Sequence, residues 1–207
     1  MARNYVIRNG TRANANEIAA LINRSVGSCV TPAFCSALCH SHLAHTLVVK
    51  RLPSFADRLA GIPERTVAVM SMQLVPGYQL GKSSPETFEK FWFSRIALIS
   101  YLAVDEQERR RGWSRPLIER AVRWALLQHA SHVAAVAWTP AIGVQSRDML
   151  LRANFQELAA LPMRKLQPQR LCNVCLGTCN CQGVVLVREL NPAAWSEYQR
   201  QHPTGKR

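Results

Sequence analysis

Apolar residues along this chain recur at two spacings, every second residue or every third and fourth, and the switch between them marks strands and helices. "NYVIRNGT" alternates as a half-buried strand does. In "RANANEIAALINRSV", Ile18, Leu21 and Ile22 share one helical face after a polar start. "TPAFCSALCHSHLAHTLV" reads as a second helix from Thr31, with Pro32 at the first helical position, where a missing N–H costs nothing. "RTVAVMSMQLV" is strand-like, and the turn-rich "PGYQLGKSSPETFEK" reads as a loop.

The second half is more regular. "RIALISYLAVDE" is a long apolar strand, and "SRPLIERAVRWALLQHA" sets Leu117, Ile118, Ala121, Val122, Ala125 and Leu126 at helical spacing. "HVAAVAWTP" is a buried strand bounded by Pro140, and "VQSRDMLLRANF" is helical. "FQELAALPM" and "GVVLVREL" are read as the last two strands, paired. The order β-α-α-β, then β-α-β-α-β-β, specifies an α/β fold with a mixed, partly parallel central sheet flanked by helices. No internal repeat appears. With 207 residues, 48% of them hydrophobic, one core is expected: a single domain over 1–200 and a disordered tail at 201–207.

Charge adds a partner to this picture. Lys and Arg number 26, and 21 of them are Arg; Asp and Glu number 13, so the net charge is +13. Arginine favours planar, bidentate contacts to phosphate. The acidic partner is then DNA or RNA, or a phosphate-rich cofactor. The arginines are spread along the chain, which equally fits a basic surface without such a partner. No apolar run approaches the ~18 residues of a membrane span, so no membrane partner is expected. "MARNYVIRNG" lacks the apolar centre of a secretory signal, and the expected location is cytoplasmic. Seven cysteines, an odd number, argue against a disulfide framework.

The junction "YLAVDEQERRRGWSRPLIERAV" carries the clearest chemistry. A strand runs through a glycine-containing turn directly into a helix. Such a turn aims free backbone N–H groups and the positive end of the helix dipole at one point, which makes an anion site. Gly112 lets the backbone come close to a ligand, and Pro116 is tolerated in the first helical turn.

These residues resemble the GNAT superfamily of N-acetyltransferases, whose signature is Arg or Gln, two residues, Gly, one residue, then Gly or Ala. Arg109-Arg110-Arg111-Gly112-Trp113-Ser114 follows that spacing, and Val104 stands where the family's strand carries Val. "YVIRNGTRANANEIAALINRSV" is similar to the family's first strand and helix, and "MLLRANFQEL" to its fourth helix and the strand after it. The resemblance runs from about Tyr5 to Leu190. One branch, the phage Mom-type DNA-modifying proteins, is similar at "FSRI" and "RANF". Three positions depart from the pattern. Ser114 replaces the usual Gly or Ala, and Asn154 stands where Gly is common before Phe155. Leu150 occupies the place of the Tyr that protonates the departing thiolate in many members.

The resemblance implies a GNAT-like fold and a site for acetyl-CoA or another acyl-CoA. Backbone amides from Arg110 to Arg115, with Arg109 before them, would hold the pyrophosphate. Leu102, Ala103 and Val104 would bond the pantetheine amides along a strand edge. The acyl group would lie where the two central strands splay, near Ser100, Tyr101 and Trp138. Direct transfer needs a deprotonated amine beside the thioester carbonyl and a route for its proton. Tyr101 is the candidate acid, and Glu89 or His132 the candidate base.

"LCNVCLGTCNCQG" spaces Cys172, Cys175, Cys179 and Cys181 as C-x2-C-x3-C-x-C. Four thiolates this close surround one tetrahedral Zn2+, and Gly177 and Gly183 let the chain fold around it. Two disulfides or an iron–sulfur cluster are the alternatives; a reducing compartment disfavours the first, and the spacing is specific for no cluster. The clip falls between the last two strands and reads as a structural, metal-stapled loop at 171–183. Cys35, Cys39 and His42, with His45 beyond, form a second cluster on one helical face, read in preference as a packed helix. The reading that results is an acyl-CoA-dependent N-acyltransferase acting on an amine, with a nucleic-acid base or nucleic-acid-associated acceptor favoured by the charge. Its rivals are a non-catalytic basic nucleic-acid-binding module and a toxin-type acetyltransferase acting on aminoacyl-tRNA.

Overall fold

The computed structural model describes residues 4–26, 30–81, 85–139, 146–166 and 181–191. In chain order the elements are β1 (Tyr5–Asn9), α1 (Ala15–Val26), α2 (Pro32–His40), β2 (Ala44–Arg51), α3 (Phe55–Leu59) and β3 (Arg65–Pro76). Then come α4 (Tyr78–Gly81), α5 (Pro85–Phe88), β4 (Arg95–Val104), α6 (Ser114–Leu127) and β5 (His132–Thr139). α7 (Ser146–Arg152), β6 (Gln156–Pro162), α8 (Met163–Leu166) and β7 (Gln182–Glu189) complete them. The seven strands form one sheet in the order β1-β2-β3-β4-β5-β7-β6. β4 and β5 are parallel and every other pair is antiparallel, so the sheet is mixed α/β as the element order requires.

Strand alternation divides the core between two faces. On one, Leu117, Ile118, Ala121 and Ala125 of α6 and Leu150 of α7 pack on Leu47, Val49, Met70, Met72, Ala97, Val133 and Leu186. On the other, Ile18, Leu21 and Ile22 of α1 and Cys35 of α2 cover Val48, Val69 and Ala103. Each of those α1 side chains is essentially sealed, worth about 1.5–3 kcal/mol of burial apiece. The buried Lys50 ammonium, beside the bulge at Val67 of β3, is met by Glu17 at 2.9 Å and Glu64 at 3.8 Å, so its charge is paired.

Two sequence expectations are corrected here. The second helix ends at His40, where Ser41 N–H closes on the Ala37 carbonyl at 3.0 Å. After the turn that follows, Ala44–Arg51 is strand β2, between β1 and β3. The segment read as a loop after β3 carries α4, α5 and a 3-10 turn at Glu89–Phe91. Phe88 and Phe91 seal it onto Val75, Ile96, Ala134 and Val185, so it is a packed cap on the sheet. Asn154, standing where glycine was expected, has φ 62°. Asn tolerates this left-handed conformation better than other side chains, so the departure keeps the backbone.

Candidate functional site

β4 and β5 pair over four positions only, Ile96–Ile99 against His132–Ala135, although the strands run 10 and 8 residues. The cause is a bulge. Against β3 the register steps from Ser71↔Tyr101 to Met72↔Ile99, leaving Ser100 as the extra residue. A bulge bends its strand and sharpens its twist. Beyond Ser100, β4 therefore parts from β5 and a wedge opens. The sides taken by the side chains record the same step, since Ile99 packs in the α6 core whereas Tyr101 packs with α1 and α2. Among the described residues, the pairing of β4 with β5 ends at Ile99 and Ala135. One group near the end of β4 is engaged: Ser25 Oγ donates to the Val104 carbonyl at 3.4 Å.

At that same end the chain enters the arginine-rich turn. The Asp105 carboxylate accepts from Gln107 N–H at 3.1 Å and pairs with Arg24 at 2.9 Å, fixing the exit from β4. A 3-10 turn, Glu106–Glu108, follows. Arg110 and Gly112 then take the left-handed conformation, φ 62° and 80°, and α6 starts at Ser114. Among the described residues, the N–H groups of Arg110, Arg111, Gly112 and Trp113 donate to no backbone carbonyl. The first-turn donors of the 14-residue α6 add to them, with the positive end of its dipole. A methyl group placed on Gly112 would meet nothing within 4 Å, so the space beside it is open. Unbonded amides at the start of a helix form a cradle of the kind that suits an anion.

Behind the cradle lies a network with no sequence signal. The carboxylate of Glu108, 2% exposed, accepts from the Tyr5 hydroxyl at 3.0 and 3.2 Å. Arg111 Nε lies 3.2 Å from the same carboxylate, and Arg111 Nη1 donates to the Tyr5 oxygen at 3.1 Å. The Tyr5 ring packs on Trp113, centroids 4.8 Å apart. Burial, then the hydrogen bond to Glu108 and its charge, holds the Tyr5 hydroxyl above its ordinary pKa. The buried indole N–H of Trp113 finds no acceptor among the described residues.

The structure brings most of the candidate residues to this one end. Leu102, Ala103 and Val104 lie on the open edge, and Arg109 to Arg115 form the turn and the start of α6. Arg115 pairs at the surface with Glu119 at 3.0 Å, whereas Arg109 and Arg110 make no ion pair among the described residues. Tyr101 follows the bulge directly, half-buried and edge-on to Phe34 at 6.4 Å. Trp138 lies on β5 opposite Gly183, beyond the point where β5 leaves β4. Leu150 is buried in the core under α7 and offers no acidic proton.

Glu89 and His132 are not at that end. His132 opens β5 opposite Ile96, three residues before the wedge, about 10 Å along the strand. Its ring meets Phe91 edge-on at 4.9 Å, and Nδ1 lies 2.8 Å from Ser131 Oγ. Burial holds its pKa below the ordinary value. Glu89 begins the 3-10 turn that carries Phe91, exposed at this same closed end.

The cysteine clusters separate as well. Burial, with Cys39 beside it, pushes the Cys35 thiol up to about 11. His42 is exposed in the turn after α2, and His45 stacks on Trp124 at 5.3 Å. Cys35, Cys39 and His42 thus form a packed helix and a surface turn. Among the described residues no group of three or more His, Cys, Asp or Glu is arranged to hold a metal. Of the four thiols of the C-terminal clip, Cys172, Cys175 and Cys179 lie outside the described residues. Cys181 is buried at the entry to β7, where its carbonyl accepts from Met163 N–H at 2.9 Å.

Comparison with protein-family models and with curated proteins finds no match. Solved structures do match. NAA60 of Arabidopsis thaliana, in complex with acetyl-CoA, superposes with a TM-score of 0.66 at 12% identity, covering 90% of this chain and 99% of its own. The ribosomal-protein-S18-alanine N-acetyltransferase of Escherichia coli gives 0.60 at 8% identity, over 90% and 94% of the two chains. An acetyltransferase of the GNAT family from Streptococcus pneumoniae gives 0.57 at 11%, over 90% and 99%. The fold is that of the GNAT acetyltransferases. Among the described residues, no helix is long and apolar enough to cross a membrane.

Proposed function

We propose that this chain is an acetyl-CoA-dependent N-acetyltransferase. One observation carries the reading: the β4–β5 wedge and the open-amide turn lie at the same end of β4, joined by the strand segment that has left β5. A diphosphate on a flexible amide-bearing arm is the ligand such a continuous surface suits, because anion donors and strand-edge donors follow one another. A binding module for nucleic acid has no use for the wedge. Neighbours of this fold, one in complex with acetyl-CoA and one a ribosomal-protein N-acetyltransferase, support the same reading.

Bound acetyl-CoA would supply an acetyl carbonyl activated as a thioester. The backbone amides of Arg110 to Arg115, with Arg109 at the rim, hold the diphosphate by charge-assisted hydrogen bonds. The main chain of Leu102 to Val104 aligns the pantetheine arm, and Ser100, Tyr101 and Trp138 flank the reacting carbon. Tyr101 delivers the proton to the departing thiolate, the role that Leu150 cannot fill. Glu89 and His132 stand at the closed end, so the proton lost by the amine leaves through water at the wedge.

The acceptor we propose is an amine on a nucleic-acid-associated substrate, a base or a bound protein; the +13 charge supports it. The charge also suits aminoacyl-tRNA, whose amine a toxin-type enzyme would acetylate. Affinity for a polynucleotide acceptor would fall steeply with salt, and acetylation of a free small amine would not. We further propose a structural Zn2+ held by Cys172, Cys175, Cys179 and Cys181, with Cys181 anchored by the sheet. Metal analysis of protein purified in reducing buffer, repeated on Cys172→Ser, tests it: no zinc in the wild type removes the proposal. Calorimetry with acetyl-CoA tests the main reading. Binding by the wild type, weakened about ten- to a hundredfold in Arg109→Ala, supports it; no binding by the wild type contradicts it.

A further inference from the structure

Within "DEQERRRGWSR" the charges look alike, yet the fold divides them. Glu106 and Arg109 to Arg111 border solvent, whereas Glu108 is 2% exposed and held by Tyr5 and Arg111. A buried carboxylate is poor evidence of stabilisation, since an apolar side chain of the same size often does as well. What this carboxylate does is geometric. It binds Arg111, the residue before Gly112, to Tyr5 at the start of β1, across 106 positions of sequence. It does so around a turn whose Arg110 has a side chain in the sparsely populated left-handed region, φ 62°, a conformation that persists only where its surroundings hold it. Trp113, packed on the Tyr5 ring, closes the other side.

We infer that Glu108 is a positioning residue: with Tyr5 it clasps Arg111 and keeps the Arg109–Ser114 turn in its anion-receiving shape before any ligand arrives. The inference rests on the acyl-CoA reading of that turn. It makes Arg111 a strut, its guanidinium held from behind, and leaves the backbone amides with Arg109 and Arg110 to meet the diphosphate. Preorganisation of this kind shows as affinity, because the ordering has been done in the free protein.

Glu108→Gln tests it, since Gln keeps the shape and an acceptor for Tyr5 but loses the charge facing Arg111. Tyr5→Phe is the second variant, removing only the hydroxyl. Both are titrated with acetyl-CoA and with S-acetylpantetheine, which lacks the diphosphate, and hydrogen exchange of the segment 108–116 is followed in the free protein. Glu108→Gln should bind acetyl-CoA about tenfold more weakly, with Tyr5→Phe affected less in the same direction. S-acetylpantetheine affinity should stay within about twofold, because that ligand never reaches the turn. Exchange of the hydrogen-bonded amides of Glu108 and Arg109, at the edge of the turn, should quicken in both variants while the core strands stay protected. Unchanged acetyl-CoA affinity in Glu108→Gln, an equal loss for both thioesters, or unchanged exchange at 108–116 would overturn the inference. If the wild type binds no acetyl-CoA, the enzyme reading fails by itself, and the exchange result still decides whether Glu108 orders the turn.

Discussion

β4 and β5 make two different ends from one strand pair. At the start, Ile96 and His132 lie in register under Phe91, and the capping segment after β3 seals the pair with Phe88. At the finish, beyond Ser100, β4 stays paired with β3 but its pairing with β5 has ended, and the turn before α6 offers N–H groups. The closed end buries apolar side chains and a neutral imidazole; the open end exposes backbone donors. One extra residue in β4 separates them. On the acetyl-CoA reading, the ligand is held by backbone donors more than by any concentration of titratable side chains.

The largest effect should come from filling the open end. Gly112→Val places a branched side chain where the cradle is empty and where φ is 80°, and acetyl-CoA affinity should fall at least about a hundredfold by calorimetry. Retained affinity would move the anion elsewhere. Next is Tyr101→Phe, which should lower kcat about a hundredfold with the acetyl-CoA KM little changed. An unchanged kcat would assign Tyr101 a packing role. Smaller still, Glu89→Gln and His132→Gln should leave kcat/KM within about twofold, because the closed end never meets the reactants. A large loss in either would erase the distinction between the ends.

The closed end should instead be visible in stability. His132 and His45 both sit below the ordinary histidine value, burial being the larger cause in each. The folded state then binds fewer protons than the unfolded chain. Stability is full above about pH 6.5 and is lost as pH falls from there through the lower folded values. Melting temperature should drop between pH 7 and pH 5, and His132→Gln should make that drop shallower. An identical acid limb in the variant would show that His132 is indifferent to folding.

How much of this the sequence discloses depends on how local each cause is. The turn was legible because its demands fall on neighbouring residues: Gly112 at positive φ, Pro116 in the first turn of α6, and a strand just before. α6 and α1 were legible from apolar spacing. β2 was not, because "HLAHTLV" continues the helical spacing of a well-capped α2 and only its pairing with β1 and β3 makes it a strand. The bulge at Ser100 has no mark in "RIALISYLAV"; it exists only as a register step against β3. Glu108 was hidden most completely. In sequence it belongs to a solvated charge run, and its burial is set by Tyr5, 103 residues away. That Glu89 and His132 fall at the other end of the β4–β5 pair was hidden for the same reason, since the end of a strand pair on which a side chain falls is a tertiary fact.

Amide chemical-shift mapping during a titration with acetyl-CoA tests the central claim most directly. The result expected is a set of changes confined to Ser100–Val104, Arg109–Arg115 and the far half of β5 from Val136, with Ile96, Glu89 and His132 unmoved. Changes centred on His132 and Glu89, or none anywhere at saturating ligand, would contradict it.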